Sequence, residues 1–277
     1  MDLAGKRVIL TGASGGIGTA LCKALVEAGA SVLAVGRSQQ RLARLSLELP
    51  AGRVTTVVAD LATAEGRQHL RQVAREQHPA PSVLVIGHAQ GAFGLFEEQD
   101  PVELDAMLQA NLVGSMLLVH ALLPGLRAQG PASVVVIGST FGSLGYPGFA
   151  AYSASKFGLR GLMEALSREY SDTTLRFQYL APRATRTSFN TAAVDALNAE
   201  LKTGSDTPEE VARALVHSIA RGDLRRQLGW PEKLFARING VLPSLVDRSL
   251  RSQLPVIRRH AQRRLSLEET PHETVPR

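Results

Sequence analysis

The sequence predicts an α/β protein with one doubly wound parallel sheet, in a single domain that continues into a basic, amphipathic helical extension. Three observations support this fold class. Short apolar runs alternate with longer helical patterns, and a glycine-rich turn follows the first run directly. The chain has 277 residues, 44% of them hydrophobic, which is enough for one large core. We therefore divide it into a domain of residues 1–222 and an extension of residues 223–277.

Six apolar runs have the length of buried strands, and they occupy residues 8–10, 31–35, 54–58, 83–86, 133–137 and 176–180. Helical patterns separate the runs, including those at residues 104–123 and 153–170. A later helix is expected to begin at Thr207-Pro208, where Glu210 completes a capping box. Alternating strands and helices form right-handed crossovers and a parallel sheet covered on both faces. Ligands are then expected at the carboxyl ends of the strands.

The turn after the first run is suited to a phosphate group. It reads Thr-Gly-Ala-Ser-Gly-Gly-Ile-Gly over residues 11–18, and Leu21, Leu25 and Val26 follow at helical spacing. Small residues let the backbone approach a ligand closely, and the helix N-terminus supplies free N–H groups with partial positive charge. A strand, a glycine turn and a helix in this order favour a dinucleotide site over an ordinary tight turn.

Tyr152 and Lys156 are four residues apart in a helical pattern, so their side chains lie on one face of the helix. A positive charge within about 4–6 Å favours the phenolate and moves the pKa of a tyrosine towards neutrality. Such a tyrosine exchanges protons with a carbonyl or an alcohol. We therefore expect Lys156 to lower the pKa of Tyr152, although the same pair also occurs on solvated helix faces without a function.

These motifs together resemble the short-chain dehydrogenase/reductase family. The turn has the spacing Thr-Gly-x-x-x-Gly-x-Gly, Ser139 lies thirteen positions before Tyr152, and Lys156 lies four positions after it. Three further segments agree in order and spacing, and they carry Asp60, Asn111, and Pro182 with Thr187. The resemblance extends from about residue 6 to residue 222. It implies a Rossmann fold and hydride transfer between a nicotinamide cofactor and a carbonyl carbon.

The same resemblance implies which residues act in the site. The catalytic set is Asn111, Ser139, Tyr152 and Lys156. The cofactor-binding set is Gly12, Ser14, Gly16, Ile17, Gly18, Arg37, Asp60, Leu61, Ala89, Tyr152, Lys156, Pro182, Thr185 and Thr187. In this scheme Tyr152 donates a proton to the carbonyl oxygen, which Ser139 orients. Lys156 holds the nicotinamide ribose, Asn111 holds a water molecule, and no metal takes part.

The choice of cofactor is argued from the end of the second run. An acidic side chain at this point would bond the ribose 2′-hydroxyl of NAD, whereas a nearby arginine accommodates the 2′-phosphate of NADP. Gly36 stands where the resembling NAD enzymes usually carry Asp, and Arg37 follows it. We therefore predict NADP(H), with the alternative that Arg37 is a solvated loop charge.

Three functions remain open on these grounds. The first is an NADPH-dependent carbonyl reductase for a small, apolar, lipid-like or acyl substrate, because Leu144, Tyr146 and Phe149 indicate an apolar lining. The second is an alcohol dehydrogenase that works in the oxidative direction. The third is a non-catalytic dinucleotide-sensing or scaffolding protein.

Two segments depart from the family pattern. Gly87-His88-Ala89-Gln90 replaces the usual Asn-Asn-Ala-Gly. In the resembling enzymes the first Asn braces the sheet, and Gly87 has no side chain that could do so. We expect His88 to be a structural histidine, with a compensating hydrogen-bonding group or a pH-sensitive group near the nicotinamide ribose as alternatives. Arg183 replaces the glycine that usually follows Pro182, and we expect it either to point outward or to meet an anionic group on the cofactor or substrate. Residues 188–206 resemble the family's substrate-covering segment.

Positive charge is concentrated near the C-terminus. Residues 221–265 hold eleven Arg or Lys against three Asp or Glu, whereas residues 1–220 hold nineteen of each kind. Apolar residues follow helical spacing there and predict two short amphipathic helices, namely Leu234, Phe235, Ile238, Val241, Leu242, Leu245, Val246 and Leu250. This stripe has three candidate uses: packing on the domain or on another subunit, peripheral contact of residues 223–265 with an anionic membrane, or admission of a long apolar substrate.

Other partners and the compartment follow from simpler observations. Few aromatic residues are available to stack on bases, so we expect no nucleic-acid binding. Cys22 lies alone in the first helix and is expected to pack in the core. The first strand begins within ten residues of the start, which leaves no room for a signal peptide, and the apolar runs look too short to span a bilayer. We expect a cytoplasmic protein, with membrane association as an option. The resemblance implies a homodimer or homotetramer formed by the helices that carry Asn111 and Tyr152.

Overall fold

The computed structural model describes residues 1–268, with side chains as far as residue 262. Seven parallel strands form one sheet in the order β3-β2-β1-β4-β5-β6-β7. Their bounds are Arg7–Thr11 (β1), Ser31–Gly36 (β2), Val54–Val58 (β3), Val83–Ile86 (β4), Ala132–Ile137 (β5), Leu175–Ala181 (β6) and Arg225–Gln227 (β7). The predicted doubly wound α/β fold is confirmed.

Ten α-helices accompany the sheet within the described residues. They are Gly16–Glu27 (α1), Gln39–Leu47 (α2), Ala64–Arg75 (α3), Pro101–Leu108 (α4), Gly114–Ala128 (α5), Ala150–Glu169 (α6), Ala192–Glu200 (α7), Pro208–Arg221 (α8), Glu232–Val241 (α9) and Pro243–Glu268 (α10). A π-helical turn at Gln109–Val113 joins α4 to α5, so the predicted helix at 104–123 is interrupted at Asn111. The expected capping box starts α8, and Gly222 ends that helix in the left-handed conformation.

The core lies on both faces of the sheet. On one face, α1 and α8 pack against the strands and contribute Leu21, Leu25 and Leu215. On the other, α3, α5 and α6 contribute apolar side chains such as Leu118 and Met163. Because every residue of β5 is buried, that strand is apolar in the sequence except for Ser133. Cys22 is fully buried in the same core, as its helical position predicted.

The chain reverses direction across the sheet between β1 and β4. It passes from β1 to β2 and β3 on one side, and then returns to β4 on the other side of β1. Ligand crevices in open parallel sheets form at such a switch point. Gly12 lies there with φ +69°, and a Cβ atom on it would stand 2.7 Å from the backbone nitrogen of His88. The glycine turn therefore abuts the end of β4.

The sheet continues beyond the predicted boundary at residue 222. The seventh strand, Arg225–Gln227, pairs with β6 in the register Tyr179 to Arg225. No apolar run marks this strand, because it is three residues long and polar. It therefore joins the start of the extension to the sheet itself.

Among the described residues, one helical stretch, Pro101–Ala128, is long and apolar enough to cross a membrane. The expectation that every apolar run is too short was therefore wrong for this stretch by length and composition. Its inner face packs on the sheet through Leu118, Leu122 and Leu126, which is how a core helix of an α/β domain behaves.

The extension contains two helices, as predicted, but the second is long rather than short. The helix α9 has 10 residues and α10 has 26. Ile257 and Ala261 of α10 pack against Val194 and Leu197 of α7. His260 adds a polar contact, with its Nε2 2.7 Å from a carboxylate oxygen at the end of α7. The 188–206 segment and the extension thus support each other.

Candidate active site

A cavity of about 1000 Å³ opens at the carboxyl ends of the strands. Every residue predicted to act in catalysis or cofactor binding lines it, except Asn111. Residues separated by as much as 175 positions in the chain, from Gly12 to Thr187, therefore meet around one space. The parallel sheet brings them together, because each motif follows the carboxyl end of a strand.

The glycine turn has the shape that a dinucleotide phosphate requires. A Cβ atom on Gly18 would stand 2.0 Å from the carbonyl oxygen of Gly12, and one on Gly16 would stand 2.5 Å from the side chain of Thr187. Gly15 caps the N-terminus of α1 without a side-chain hydrogen bond, so no side chain occupies the amide groups of its first turn. These residues fit a pyrophosphate group.

Two arginines lie at the end of the cavity next to β2. Arg37 and Arg41 both line it, are exposed, and make no ion pair among the residues that the structure describes. Ser38 caps α2 by accepting a hydrogen bond from the Arg41 amide at 3.3 Å. Arg41 was missed in the sequence, although its place three residues after a serine N-cap is a usable signal. Across the cavity, Asp60 accepts a hydrogen bond from the Ala62 amide at 3.0 Å.

Ser139 and Tyr152 come together at the inner end of the cavity. Ser139 follows β5, and its hydroxyl accepts a hydrogen bond from the Phe141 amide at 3.1 Å. Tyr152 belongs to the first turn of α6 and is 8% exposed. Burial raises the pKa of Tyr152 to about 12, and a hydrogen bond with Ser139 opposes that shift. Ser139 and Tyr152 therefore lie near each other in the cavity wall, as two donors to one carbonyl oxygen would need.

Lys156 lies one turn further along α6 and is 3% exposed. Its Nζ donates a hydrogen bond to the carbonyl oxygen of Ile137 at 3.2 Å and lies 5.7 Å from the centre of the Tyr152 ring. Burial lowers the pKa of Lys156 to about 8. The expectation that Lys156 lowers the pKa of Tyr152 was wrong for this structure, because desolvation disfavours the charged form of both groups.

Asn111 lies behind the cavity, in the π-helical turn. Its Oδ1 accepts a hydrogen bond from the Gln90 amide at 2.7 Å, and its Nδ2 donates to the Gln90 carbonyl at 2.8 Å. Nδ2 also lies 3.3 Å from the hydroxyl oxygen of Ser155. The amide therefore holds the segment after β4 against α6, and it does not reach the cavity wall.

His88 joins two segments of the chain beside the cavity. Its Nδ1 lies 2.7 Å from the hydroxyl of Thr11, and its Nε2 lies 3.2 Å from the carbonyl oxygen of Ala110. These contacts tie the end of β1 to the turn before α5. Burial, followed by the charge of Lys156, lowers the pKa of His88 to about 4. The structure shows a buried histidine that joins two segments by hydrogen bonds, which agrees with the expected structural role.

Arg183 meets carboxylates of its own chain. Its Nη2 lies 2.6 Å from Oδ1 of Asp206, and its Nη1 lies 3.6 Å from Oε2 of Glu232. Nη1 also donates to the carbonyl oxygen of Trp230 at 2.8 Å. The side chain is only 20% exposed, so the expected outward orientation was wrong, and the anionic groups that it meets belong to the protein itself. It joins the loop after β6 to the start of α9.

The part of the cavity beyond Tyr152 is apolar. The expected lining by Leu144, Tyr146 and Phe149 is present. Further lining side chains come from the loop after β6, from α7 and from the extension: Phe189, Val194, Leu197, Leu201, Phe235 and Leu250. Tyr146 is tied to α10 by a hydrogen bond of 2.8 Å to Gln253. Among the described residues, no group of three or more His, Cys, Asp or Glu side chains could hold a metal ion.

Comparison with known families agrees with this arrangement. The family model described as short chain dehydrogenase matches residues 6–198, which is most of the chain. The chain belongs to the short-chain dehydrogenase family. The matched span runs from β1 into α7 and contains the glycine turn, Ser139, Tyr152 and Lys156.

Among curated relatives, the 3-dehydrosphinganine reductase TSC10B of Arabidopsis thaliana is 37% identical over 190 residues, which are 66% of this chain and 56% of the relative. The chain thus spans little more than half of that protein. The ketoacyl reductase HetN of Nostoc is 30% identical over 219 residues, which are 78% of this chain and 76% of the relative.

Solved structures show the same fold. A short-chain dehydrogenase from Streptomyces avermitilis superposes with a TM-score of 0.77 at 28% identity, covering 90% of this chain and 98% of the other. Two Burkholderia enzymes also share the fold. The protein from B. cenocepacia, 20% identical with a TM-score of 0.77, is in complex with NADP, and the one from B. phymatum, 21% identical with a TM-score of 0.80, is in complex with NAD. They cover 90% and 88% of this chain, and 99% and 96% of their own.

Proposed function

We propose that this protein is an NADPH-dependent oxidoreductase that reduces an apolar ketone or acyl carbonyl to an alcohol. One observation carries the proposal: Ser139, Tyr152 and Lys156 line a single cavity that has a phosphate-binding turn on one side and an apolar wall on the other. The reductase names of the two curated relatives support carbonyl reduction as the reaction class.

NADPH is favoured by the charges beside β2. Arg37 and Arg41 line the cavity with no ion-pair partner among the described residues, so a 2′-phosphate would supply the missing anion. Gly36 carries no carboxylate that would repel this group or bond the 2′-hydroxyl of NAD.

The protein groups then have distinct tasks. When bound, the dinucleotide supplies the hydride. Tyr152 donates the proton to the carbonyl oxygen, while Ser139 holds the same oxygen in position by a hydrogen bond. Lys156 holds the nicotinamide ribose next to Tyr152, and Asn111 keeps the segment after β4 in place. Preorganised donors at this oxygen stabilise the charge that develops in the transition state.

Reduction is favoured over oxidation by the proposed cofactor. Arg37 and Arg41 beside β2 favour NADP(H) over NAD(H). Cells usually keep the NADP pool reduced, so the hydride passes from the cofactor to the carbonyl. A non-catalytic dinucleotide-binding protein would not require Ser139, Tyr152 and Lys156 at one site. We therefore favour the catalytic role.

The test is Tyr152→Phe, assayed by NADPH absorbance with a panel of ketones of increasing chain length. We expect turnover to fall by at least about 100-fold, because the general acid is lost. NADPH binding, measured by fluorescence titration, should stay within about twofold, because the phenyl ring still fills the site.

Tyr170→Phe is the matched control, since Tyr170 packs against the core beside Phe177 and does not line the cavity. It should keep the rate of the wild type. A Tyr152→Phe enzyme that retains more than about a tenth of that rate would contradict the general-acid role.

A further inference from the structure

A ridge of exposed apolar side chains follows α9 and the first turn of α10. Its members are Trp230, Leu234, Phe235, Val241, Leu242 and Leu245, each 38–77% exposed. We call these six residues the apolar ridge. Within the stripe predicted from the sequence, Val246 is buried at 2% exposure, but most of the other side chains do not pack on the domain. Contiguous exposed apolar surface of this kind marks a contact with another molecule or with a membrane.

The apolar ridge is held on fixed elements. Asn239 of α9 donates a hydrogen bond to the carbonyl oxygen of Ser143 at 3.0 Å. Arg183 binds the carbonyl oxygen of Trp230 at 2.8 Å, and the second half of α10 is anchored through the buried Ile257. The exposed side chains are therefore presented by a supported surface.

The apolar ridge also adjoins the mouth of the cavity. Phe235 belongs to the ridge and lines the cavity, as do its neighbours Pro231 and Leu250. A molecule that leaves the apolar part of the cavity on this side would meet the ridge before it met bulk solvent. Phe235 is therefore shared by the apolar ridge and the cavity wall.

Basic side chains flank the apolar ridge. Lys233 lies with its Nζ 5.8 Å from the centre of the Trp230 ring, and Arg237, Arg248 and Arg251 are exposed. Helical spacing places Arg237 beside Leu234 and Arg248 beside Leu245. None of these four cations has an ion-pair partner among the described residues. The carboxylate of Glu232, by contrast, faces Arg183 at 3.6 Å.

We propose that the apolar ridge is a docking surface for an anionic lipid membrane. The leucines and Trp230 insert at the level of the headgroups, and the flanking arginines contact lipid phosphates. Docked in this way, the protein turns the mouth of its cavity towards the bilayer. Delivery of an apolar substrate from the membrane rests on the function proposed above, whereas docking itself does not.

Charge argues against a second copy of the chain as the occupant of this surface. A twofold interface would bring the same patch of each subunit together, with Arg237, Arg248 and Arg251 of both copies close to one another. Like charges that are brought close together repel each other. Burial of the apolar side chains between the two copies would have to overcome that repulsion. An anionic bilayer satisfies the cations and the apolar side chains at once.

The test is co-sedimentation of the full chain with vesicles of phosphatidylcholine alone, or of phosphatidylcholine with about a third phosphatidylserine. We expect binding to the anionic vesicles, weakened by high salt because the lipid phosphates and the arginines are then screened. The double variant Leu242→Glu, Leu245→Glu should lose at least about tenfold in affinity, because two apolar contacts are replaced by like charge. Leu47→Glu is the matched control: Leu47 is 88% exposed on α2, and this variant should bind like the wild type.

A second pair of variants isolates the charges. Arg248→Glu with Arg251→Glu should weaken binding to anionic vesicles, whereas Arg75→Glu with Arg127→Glu makes the same change of net charge on α3 and α5 and should have a much smaller effect. Vesicle binding is compared only among variants whose melting temperatures match that of the wild type. Tyr152→Phe should bind vesicles like the wild type, so a failure of the proposed reaction is distinguishable from a failure of docking.

Three outcomes would overturn the proposal. The first is a wild-type protein that sediments with neither kind of vesicle. The second is unchanged vesicle binding by the Leu242→Glu, Leu245→Glu variant. The third is a dimer that this variant dissociates while no vesicle binding occurs, which would assign the apolar ridge to a subunit interface.

Discussion

Tyr179 shows how a residue of β6 positions the site from outside it. Its hydroxyl donates to the carbonyl oxygen of Lys156 at 3.3 Å and lies 3.4 Å from the amide of Ser139. Gly142 leaves room for this ring, because a Cβ atom there would stand 1.9 Å from the hydroxyl oxygen. The phenol thus ties the strand end that carries Ser139 to α6. In the sequence, Tyr179 is indistinguishable from any aromatic residue of a buried strand.

His88 should make stability depend on pH. Its folded-state pKa of about 4 lies below the ordinary value of 6.5, so between these values the unfolded chain binds the extra proton. The contribution of neutral His88 to the unfolding free energy is therefore fully present above about pH 6.5, and it decreases as the pH falls towards 4. When the pH is lowered from 7.5 to 5.5, the unfolding free energy of His88→Asn should decrease by about 1 kcal/mol less than that of the wild type. Urea denaturation at the two pH values measures this difference.

The control for this measurement is His217→Asn, since His217 is exposed on α8. It should show the pH dependence of the wild type. An His88→Asn variant whose stability falls as steeply as that of the wild type would assign the acid sensitivity to other groups.

Arg37 and Arg41 should decide between the two cofactors. Replacing both by alanine removes two charge-assisted contacts to a 2′-phosphate, so the KM for NADPH should rise by about 10- to 100-fold while that for NADH changes little. Arg44 lies on α2, the helix that also carries Arg41, but it does not line the cavity. Arg44→Ala should therefore leave the KM values for NADPH and NADH unchanged. A wild-type enzyme with equal KM values for the two cofactors, or with an NADH preference, would contradict the assignment.

At the scale of elements, the π-helical turn at Gln109–Val113 explains why Asn111 faces Gln90. A π turn inserts one residue into a helix and rotates the side chains that follow it. The family resemblance identified Asn111 as a site residue, but the apolar spacing predicted one continuous helix across it. The local irregularity is stabilised by the two hydrogen bonds between the Asn111 amide and the Gln90 backbone.

Arg183 should couple the loop after β6 to the extension. Arg183→Met removes the contacts with Asp206 and Glu232, and it leaves these two partly buried carboxylates without their cation. We expect a loss of about 1–3 kcal/mol in the unfolding free energy, together with a raised KM for apolar substrates and faster proteolysis of α9. Arg186→Met, an exposed neighbour with bonds of 3.3–3.4 Å to Ser205, should change none of these quantities appreciably. Equal effects of the two variants would show that charge in the loop, and not the Arg183 contacts, is responsible.

At the scale of the whole molecule, α5 and α6 carry exposed apolar side chains. Met116, Leu117 and Phe157 are 40–41% exposed on these two helices. We expect a homodimer or homotetramer through them, so Leu117→Glu with Phe157→Glu should shift the molar mass from light scattering towards that of a monomer. Leu47→Glu should leave the mass unchanged. A wild-type protein that is monomeric at about 50 μM would rule out this interface as a stable one.

The extension belongs to the architecture of the site. Its strand β7 completes the sheet, Phe235 and Leu250 line the cavity, and α10 covers α7. A boundary at residue 222 divides the sequence where the family resemblance ends, but the folded domain continues through it. We therefore expect substrate choice to depend on residues beyond the part of the chain that the family model matches.

The sequence by itself determined six of the seven strands, the glycine turn and most of the cavity-lining motifs. Strands buried on both faces are continuous apolar runs, and the turn requires glycine at defined positions such as Gly12 and Gly18. These features are local, so residue order and spacing are enough to reveal them. Capping of α8 by Thr207 was predictable for the same reason.

Only the tertiary structure decided the remaining properties. The direction of the pKa shift of Tyr152 depends on burial by distant elements, which the spacing of Tyr152 and Lys156 does not reveal. The partners of Arg183 are 23 and 49 positions away in the sequence, at Asp206 and Glu232. Whether Leu242 and Leu245 face the core or solvent depends on where α9 and α10 pack. Burial and long-range contacts are set by how the whole chain folds, and no pattern within a single segment encodes them.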